Sequence, residues 1–284
     1  MKIIYCLLFI FSSHSFADVF RCIDNNGNAI FTDNKQNCIN AKNTETKRLE
    51  SELPSRNSFY NEIPDLLQTK KSANFAGGGK QFCGPVAVSN SLVWLENVQD
   101  ESHQIELVHK LSSSEYMNTS AENGTGTGGL IRGIDKYVTE VFGRYRKLEY
   151  SGWKKCPNKY HSIIKIPTLS FMRSGLNRKG AVWLNIGFYK ADKIKNEYLR
   201  VGGHWVTLVG FEGGQLIIHD PASRAGKSFH NDFIDYSILA SGILISKKIG
   251  KQRLAKGFFR LGSGLSIPKR ADTAVIDGVV VLQI

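Results

Sequence analysis

The sequence contains few of the residues that build metal centres. It has five cysteines and seven histidines in 284 residues, no two cysteines form a C-x-x-C pair, and no histidines stand at zinc-finger spacing. A structural zinc is therefore not predicted, and we expect neither a metal nor an organic cofactor. The glycine-rich run at 123–129 formally matches a dinucleotide motif but follows no strand, so it predicts no such site. At the start of a helix, the same run could line a cleft.

Long apolar runs are also missing, apart from a short one at the N-terminus. Lys2 precedes an apolar stretch from Ile3 to Phe11, and small residues follow up to Ala17. A membrane anchor needs about 20 apolar residues, so this run is more typical of a signal peptide. We expect residues 1–17 to be cleaved after Ala17, which predicts a periplasmic or secreted chain without a membrane span.

The chain has few acidic residues relative to basic ones: 25 aspartates and glutamates against 37 lysines and arginines, for a net charge of +12. The basic residues are scattered and not interleaved with aromatic residues, so no nucleic-acid partner is predicted. Outside the cytoplasm, the excess favours anionic envelope polymers or phospholipid headgroups as neighbours. It could also serve only solubility.

The first segment after the cleavage site, residues 18–45, is predicted to be a small β-hairpin domain. Two strand-like runs flank Asn26-Gly27, which is the strongest short hairpin signal. Cys22 and Cys38 enclose 15 residues, and a disulfide between them would contribute about 3 kcal/mol in the chain-entropy picture. The run V-F-R-C-x-D-x-x-G-x-x-x-F-T-D resembles a short bacterial domain of unknown function, which implies an exported bacterial protein.

The rest of the chain divides into residues 46–74 and a main domain, residues 75–284. The first part is polar and is interpreted as a linker or as a belt over the main domain. In the main domain, helical patterns precede strand patterns, which predicts an α+β class with a mostly antiparallel sheet. Helices are expected at 86–95, 102–111, 130–142 and 168–176, and strands at 181–188, 205–211, 215–219, 242–246, 257–261 and 278–284.

Cys83 stands where the first of these helices is expected to begin. Gly84 and Pro85 follow it, and proline suits the first turn of a helix. A thiol at this end of a helix is favoured as the thiolate. Most free cysteines, however, are only small buried apolar residues. A catalytic role therefore requires a histidine base and an acceptor that orients it.

His204 and Asp220 are the candidates for these two roles. We expect His204 to open the buried strand that begins at Trp205, with its ring facing a cleft. Asp220 follows the next strand, and a tight turn at 212–214 would bring it directly opposite His204. The alternative is a strand-end histidine and a turn aspartate without a catalytic role. Cys156 has no predicted partner and is interpreted as a buried or surface thiol.

The three segments around these residues resemble the papain-like cysteine peptidases. Q-x-C-G-P-x-A before a helix, then G-H-W-V-x-L-V-G, then H-D-P are most similar to the branch that includes the bacteriocin-processing, double-glycine leader peptidases. The resemblance spans roughly residues 75–250. It implies a helical half that carries the cysteine and a sheet that carries the histidine and the aspartate.

The resemblance also implies a role for each residue. Cys83 would be the nucleophile, His204 the general base and acid, and Asp220 the residue that orients the imidazole. Members of the family carry a glutamine several positions before the cysteine as an oxyanion donor. Position 77 is glycine here, so Gln81 is the candidate for that role.

Together these features predict an exported bacterial cysteine peptidase or amidase with a Cys-His-Asp triad and a thioester intermediate. Its substrate would be a peptide, a protein or a peptidoglycan peptide. Two alternatives stay open, namely a transamidase or transpeptidase with the same triad and a non-catalytic binding module of the envelope. No oligomeric state is indicated.

Overall fold

The structure is a computed structural model that describes residues 20–23, 29–32, 59, 61–98, 100–223, 232–246 and 250–284. The chain divides into two compact units, Met1–Ser55 and Arg56–Ile284. In the first unit, strand β1 (Phe20–Ile23) pairs antiparallel with strand β2 (Ala29–Thr32). The predicted signal peptide, the turn at Asn26-Gly27 and Cys38 lie outside the described residues, so the stapled hairpin stays a prediction.

The second unit is an α+β protein, as predicted. The helices in its described ranges are α1 (Cys83–Leu95), α2 (Glu101–Ser112), α3 (Thr127–Phe142) and α4 (Leu169–Gly175). Its strands are β3 (Lys147–Gly152), β4 (Gly180–Asp192), β5 (Glu197–Glu212), β6 (Gln215–His219), β7 (Asp232–Ile234), β8 (Tyr236–Ile238), β9 (Ile243–Ser246), β10 (Gln252–Leu254), β11 (Phe259–Leu261) and β12 (Thr273–Gln283). None of the described helices is long and apolar enough to cross a bilayer.

These strands form one large sheet in the order β10-β9-β5-β4-β12-β11-β8, with β3 also paired to β12 and β6 to β5. Among the described strands, the pair of β5 and β9 is parallel, and the other pairs of this sheet are antiparallel. The prediction of a mostly antiparallel sheet is therefore confirmed. The two longest contacts, of β4 with β5 and with β12, lie at its centre.

Both faces of the central strands are covered. Side chains alternate between the faces of a strand, so Trp183 of β4 joins the core formed with α1, α2 and α3. Its neighbours Val182 and Leu184 join the core formed with α4 on the opposite face. Because neither face meets water, β4 is apolar at successive positions instead of alternating.

The segment before Phe75 packs on this unit. Ile63 lies in an apolar cluster with side chains of β5 and β6, and Leu66 lies in another with side chains of α1 and α2. The backbone N–H of Gln68 donates to the carbonyl of Pro221 at 2.8 Å. The compact unit spans Arg56–Ile284, so the described part of this segment belongs to it. The few apolar residues of the segment are inserted into clusters, so we refer to residues 61–74 as the belt.

Candidate active site

Helix α1 begins at Cys83 and is fixed to the sheet in its second turn. The carbonyl of Ala87 accepts hydrogen bonds from Trp183 Nε1 of β4 at 3.0 Å and from Thr207 Oγ1 of β5 at 2.7 Å. The residues from Gly84 to Val93 are buried throughout, so the helix has no solvent-facing side in its first two turns. These contacts place the partly buried thiol of Cys83 at the N-terminal end of a helix that is hydrogen-bonded to two strands of the sheet.

His204 lies inside β5 and not at its beginning, so that part of the prediction was wrong. The strand starts at Glu197, and its first residues pair with β4 and β9 while staying partly exposed. Burial begins at His204, whose side chain is 5% exposed. Because glycine is disfavoured in strands, Gly202-Gly203 predict a strand that starts only after them. The observed strand runs through both glycines.

Asp220 contacts His204, although the predicted register was wrong. Thr207 is the residue opposite His219, after a bulge between Leu208 and Gly210, so Asp220 comes into line with position 206. Same-face positions two residues apart remain within reach on a diagonal. Asp220 Oδ1 bonds to His204 Nε2 and also accepts from the backbone N–H of Ala222 at 2.9 Å.

The side chains of Cys83 and His204 are hydrogen-bonded, and each shifts the pKa of the other. Burial disfavours the thiolate, but the hydrogen bond and charge of His204, with a backbone hydrogen bond from Trp205, outweigh it and lower the pKa of Cys83. Burial also disfavours the charged form of His204, which lowers its pKa. The charge and hydrogen bond of Asp220, followed by those of Cys83, outweigh burial and raise the pKa of His204 to about 9. Because Nε2 faces Asp220, Nδ1 is the nitrogen left for Cys83. Both shifts favour the ion-pair form, in which Cys83 is a thiolate and His204 an imidazolium.

The pair lines a cleft of about 180 Å³. Gln81, the predicted oxyanion donor, lines the same cleft, and so does the loop at 123–127. A Cβ atom at Gly124 would lie 3.2 Å from Oε1 of Gln81, so this side chain packs along the loop. The structure thus brings all four predicted site residues to one place, three of them in contact and Gln81 beside them.

Three further residues of the cleft were not predicted from the sequence. Asn185 of β4 lies opposite Trp205, and Lys154 and Arg200 carry positive charge into the cleft. A polar residue within the apolar run of β4 was a signal that could have identified Asn185. Arg200 fell outside the predicted strand, and Lys154 follows β3, which was not predicted.

The other described thiol and histidines do not form a comparable pair. Cys156 is buried, and that burial raises the pKa of its thiol to about 11. His219 bonds through Nδ1 to the carbonyl of Pro64 at 3.1 Å, which ties β6 to the belt. His103 contacts Glu96 near the surface. Within the described ranges, Cys83 is thus the thiol that meets a histidine base.

The arrangement places a thiol that could act as a nucleophile beside an imidazole that could act as acid and base. The described residues include no cluster of three or more histidine, cysteine, aspartate or glutamate side chains that could hold a metal ion. A thiolate with an adjacent imidazolium can attack an electrophilic carbonyl and return the proton to a leaving group. No protein-family model matches this chain, and no curated protein matches it either.

Proposed function

We propose that the protein is a papain-like cysteine peptidase or amidase, similar to the double-glycine leader peptidases, that acts outside the cytoplasm. The observation that carries this proposal is the hydrogen-bonded chain from Cys83 through His204 to Asp220. The cysteine begins a buried helix, the histidine lies on the sheet and the aspartate follows the next strand. That distribution over a helical half and an antiparallel sheet supports the papain-like assignment.

The reaction begins with the thiolate of Cys83. Sγ attacks the carbonyl carbon of an amide, a C–S bond forms, and the π electrons move to the oxygen. The oxyanion lies near the N-terminus of α1, where the first backbone N–H groups have no partner within the helix. The amide of Gln81 is the proposed second donor. His204 then gives its Nδ1 proton to the nitrogen, the C–N bond breaks, and the amine leaves.

Hydrolysis of the thioester completes the cycle. His204 is now neutral and takes a proton from water as the oxygen attacks the thioester carbonyl. The second tetrahedral intermediate collapses, the C–S bond breaks, and the carboxylic acid leaves. Throughout both halves, Asp220 accepts the hydrogen bond from Nε2–H, which fixes the tautomer and stabilises the imidazolium.

Alkylation of the thiol tests the proposal without a known substrate. In a Cys156→Ala background, iodoacetamide should modify Cys83 at pH 6 nearly as fast as at pH 8. A thiol with an ordinary pKa of about 8.5 would slow roughly tenfold for each pH unit below that value. Peptide mapping by mass spectrometry assigns the modified site.

Hydrolysis itself is measured on a peptide library by the appearance of new termini in mass spectrometry. We expect Cys83→Ala to abolish cleavage, with a Tm within a few degrees of the parent protein, whereas Cys156→Ala should cleave normally. Cleavage that persists in purified Cys83→Ala protein would refute the proposed nucleophile. An unreactive Cys83 in the native fold would refute the ion pair.

A further inference from the structure

Two cationic side chains face the same cleft as the proposed nucleophile. Lys154 and Arg200 line it together with Cys83 and His204. The remaining lining residues are uncharged, and no aspartate or glutamate is among the described residues that line it. Apart from the coupled pair of Cys83 and His204, the charges that the described lining presents to a substrate are therefore positive.

Arg200 is held by a buried carboxylate behind it. Its Nε donates to Asp277 Oδ2 at 2.6 Å, and the side chain of Asp277 is fully buried. Asp277 also accepts hydrogen bonds from Trp153 Nε1 at 2.8 Å and from the hydroxyl of Tyr189. A buried carboxylate needs such partners. Asp277 therefore anchors the Nε side of the guanidinium and leaves its outer edge uncommitted.

Two glycines make room for this ion pair. Gly187 of β4 lies opposite Gly203 of β5. A Cβ atom at Gly187 would lie 2.5 Å from Asp277 Oδ2, and one at Gly203 would lie 2.1 Å from Arg200 Nη2. The guanidinium therefore rests on the backbone next to His204. Its Nη1 and Nη2 make no hydrogen bond with any residue in the described part of the chain, so they can donate to a ligand.

Lys154 supplies the second charge. Its Nζ lies 4.4 Å from the centre of the Trp153 ring, and its backbone N–H donates to the hydroxyl of Tyr150 at 3.1 Å. Burial, followed by the charge of Arg200, lowers the pKa of Lys154 to about 8. The ammonium is thus still mostly protonated at pH 7, beside a second cation. An anion between the two would relieve their repulsion.

We propose that Arg200 and Lys154 form a carboxylate-binding subsite, so that the preferred substrates are amides or peptides with a carboxylate next to the scissile bond. The planar fork of arginine matches the two oxygens of a carboxylate. At about 180 Å³, the cleft is smaller than the usual range of about 300–1,000 Å³ for ligand sites. The carboxylate therefore belongs to the cleaved residue or its neighbour, as a C-terminus or an acidic side chain.

This inference rests on the proposed function, and a pair of electrophiles separates the two. Iodoacetate and iodoacetamide differ in the charge of the group next to the reacting carbon. The measured quantity is the rate of Cys83 alkylation by iodoacetate divided by the rate with iodoacetamide, in the Cys156→Ala background. We expect this ratio to be about tenfold higher than the same ratio for the free thiol N-acetylcysteinamide. Lys154→Met should reduce the ratio about three- to tenfold.

The variants are chosen so that loss of folding cannot explain the result. Lys155→Met is the matched control, because Lys155 is exposed and lies outside the cleft, and it should leave the ratio unchanged. Arg200→Met is made together with Asp277→Asn, so that no buried carboxylate loses its hydrogen-bonded cation. The rate ratio of a variant is interpreted only if its rate of reaction with iodoacetamide equals that of the parent protein. An unchanged iodoacetamide rate shows that the Cys83 thiolate is intact.

Matched peptides identify the source of the carboxylate. One pair replaces glutamate by glutamine beside the cleaved bond, and the other replaces a free C-terminus by an amide. We expect kcat/KM to favour the anionic member of one pair about tenfold, and Lys154→Met to remove most of that preference.

Two outcomes overturn the inference in distinguishable ways. If Cys83 reacts rapidly with iodoacetamide but shows the rate ratio of the reference thiol in every variant, the subsite is refuted and the proposed nucleophile stands. If Cys83 reacts slowly with both reagents, the proposed function fails and the subsite falls with it.

Discussion

Replacing Asp220 by asparagine tests what its negative charge contributes to the candidate site. In Asp220→Asn, the side-chain amide oxygen can still accept from His204 Nε2 and from the N–H of Ala222, as the carboxylate of Asp220 does now. The side chain keeps its volume in a place where the native residue is buried. The substitution therefore isolates the charge of Asp220 from its geometry.

The size of the effect follows from the pKa of His204. Burial alone would lower that pKa, and the charge of Asp220 is the largest contribution that raises it from 6.5 to about 9. A change of about 2.5 pKa units is roughly 300-fold in the protonation equilibrium. In Asp220→Asn, we expect the pKa of His204 to fall to its ordinary value or below. The pKa of Cys83 should then rise, because its thiolate loses a cationic partner.

The assay is the pH profile of Cys83 alkylation by iodoacetamide in the Cys156→Ala background. The parent protein should show fast alkylation across neutral pH, whereas Asp220→Asn should show a rate that rises through neutral pH like that of an ordinary thiol. A histidine titration followed by NMR gives the His204 pKa directly. An alkylation profile that is identical in the two proteins would refute the charge coupling along Cys83, His204 and Asp220.

Three further predictions follow from contacts around the cleft. Gln81→Ala should lower kcat by about 100-fold with little change in KM, as loss of an oxyanion donor does. If kcat is unchanged in Gln81→Ala but lowered in Asn185→Ala, the second oxyanion donor is Asn185 and not Gln81. Gly84→Ala should lower the free energy of unfolding by about 1–3 kcal/mol in urea titrations, because its Cβ would lie 2.8 Å from Thr125 Cβ. The control is Gly126→Ala, whose Cβ would meet nothing within 4 Å. The stability supplied by protonated His204 should be present in full below about pH 6.5 and be lost as pH rises through about 9, and His204→Gln should flatten that part of a Tm-against-pH curve.

Helices α2 and α3 could be predicted because their apolar residues recur at the helical period. Helix α1 and strand β4 could be predicted as continuous apolar runs, because both are buried on all sides. The strand at Gln215–His219 was predicted with its observed bounds, since glycines precede it and a proline follows soon after. Strand β3, which has six residues, was missed. Strands β7, β8 and β10 were missed as well, and each has only three residues. So short a segment has no measurable alternation.

The approach of Cys83, His204 and Asp220 could be anticipated, but not the way it is achieved. A bulge within β5 changes the register by one residue, and a bulge leaves no clear pattern in the sequence. The ion pair of Arg200 and Asp277 could not be predicted from the sequence for another reason. Its members are 77 residues apart, and the two glycines that admit them look like ordinary strand interruptions until β4 and β5 are paired.

The belt has a consequence for how the protein can be shortened. The backbone N–H of Gln68 donates to the carbonyl of Pro221, and the carbonyl of Pro64 bonds to His219 Nδ1. The belt is thus hydrogen-bonded to the residues on either side of Asp220. Asp65 of the belt is also close enough to Asp220 for burial and that charge to raise its pKa to about 8. A chain trimmed to begin at Phe75 would keep every member of the triad. We expect it nevertheless to lose the contacts that hold the residues beside Asp220, so the latest safe starting point is Arg56, where the compact unit begins.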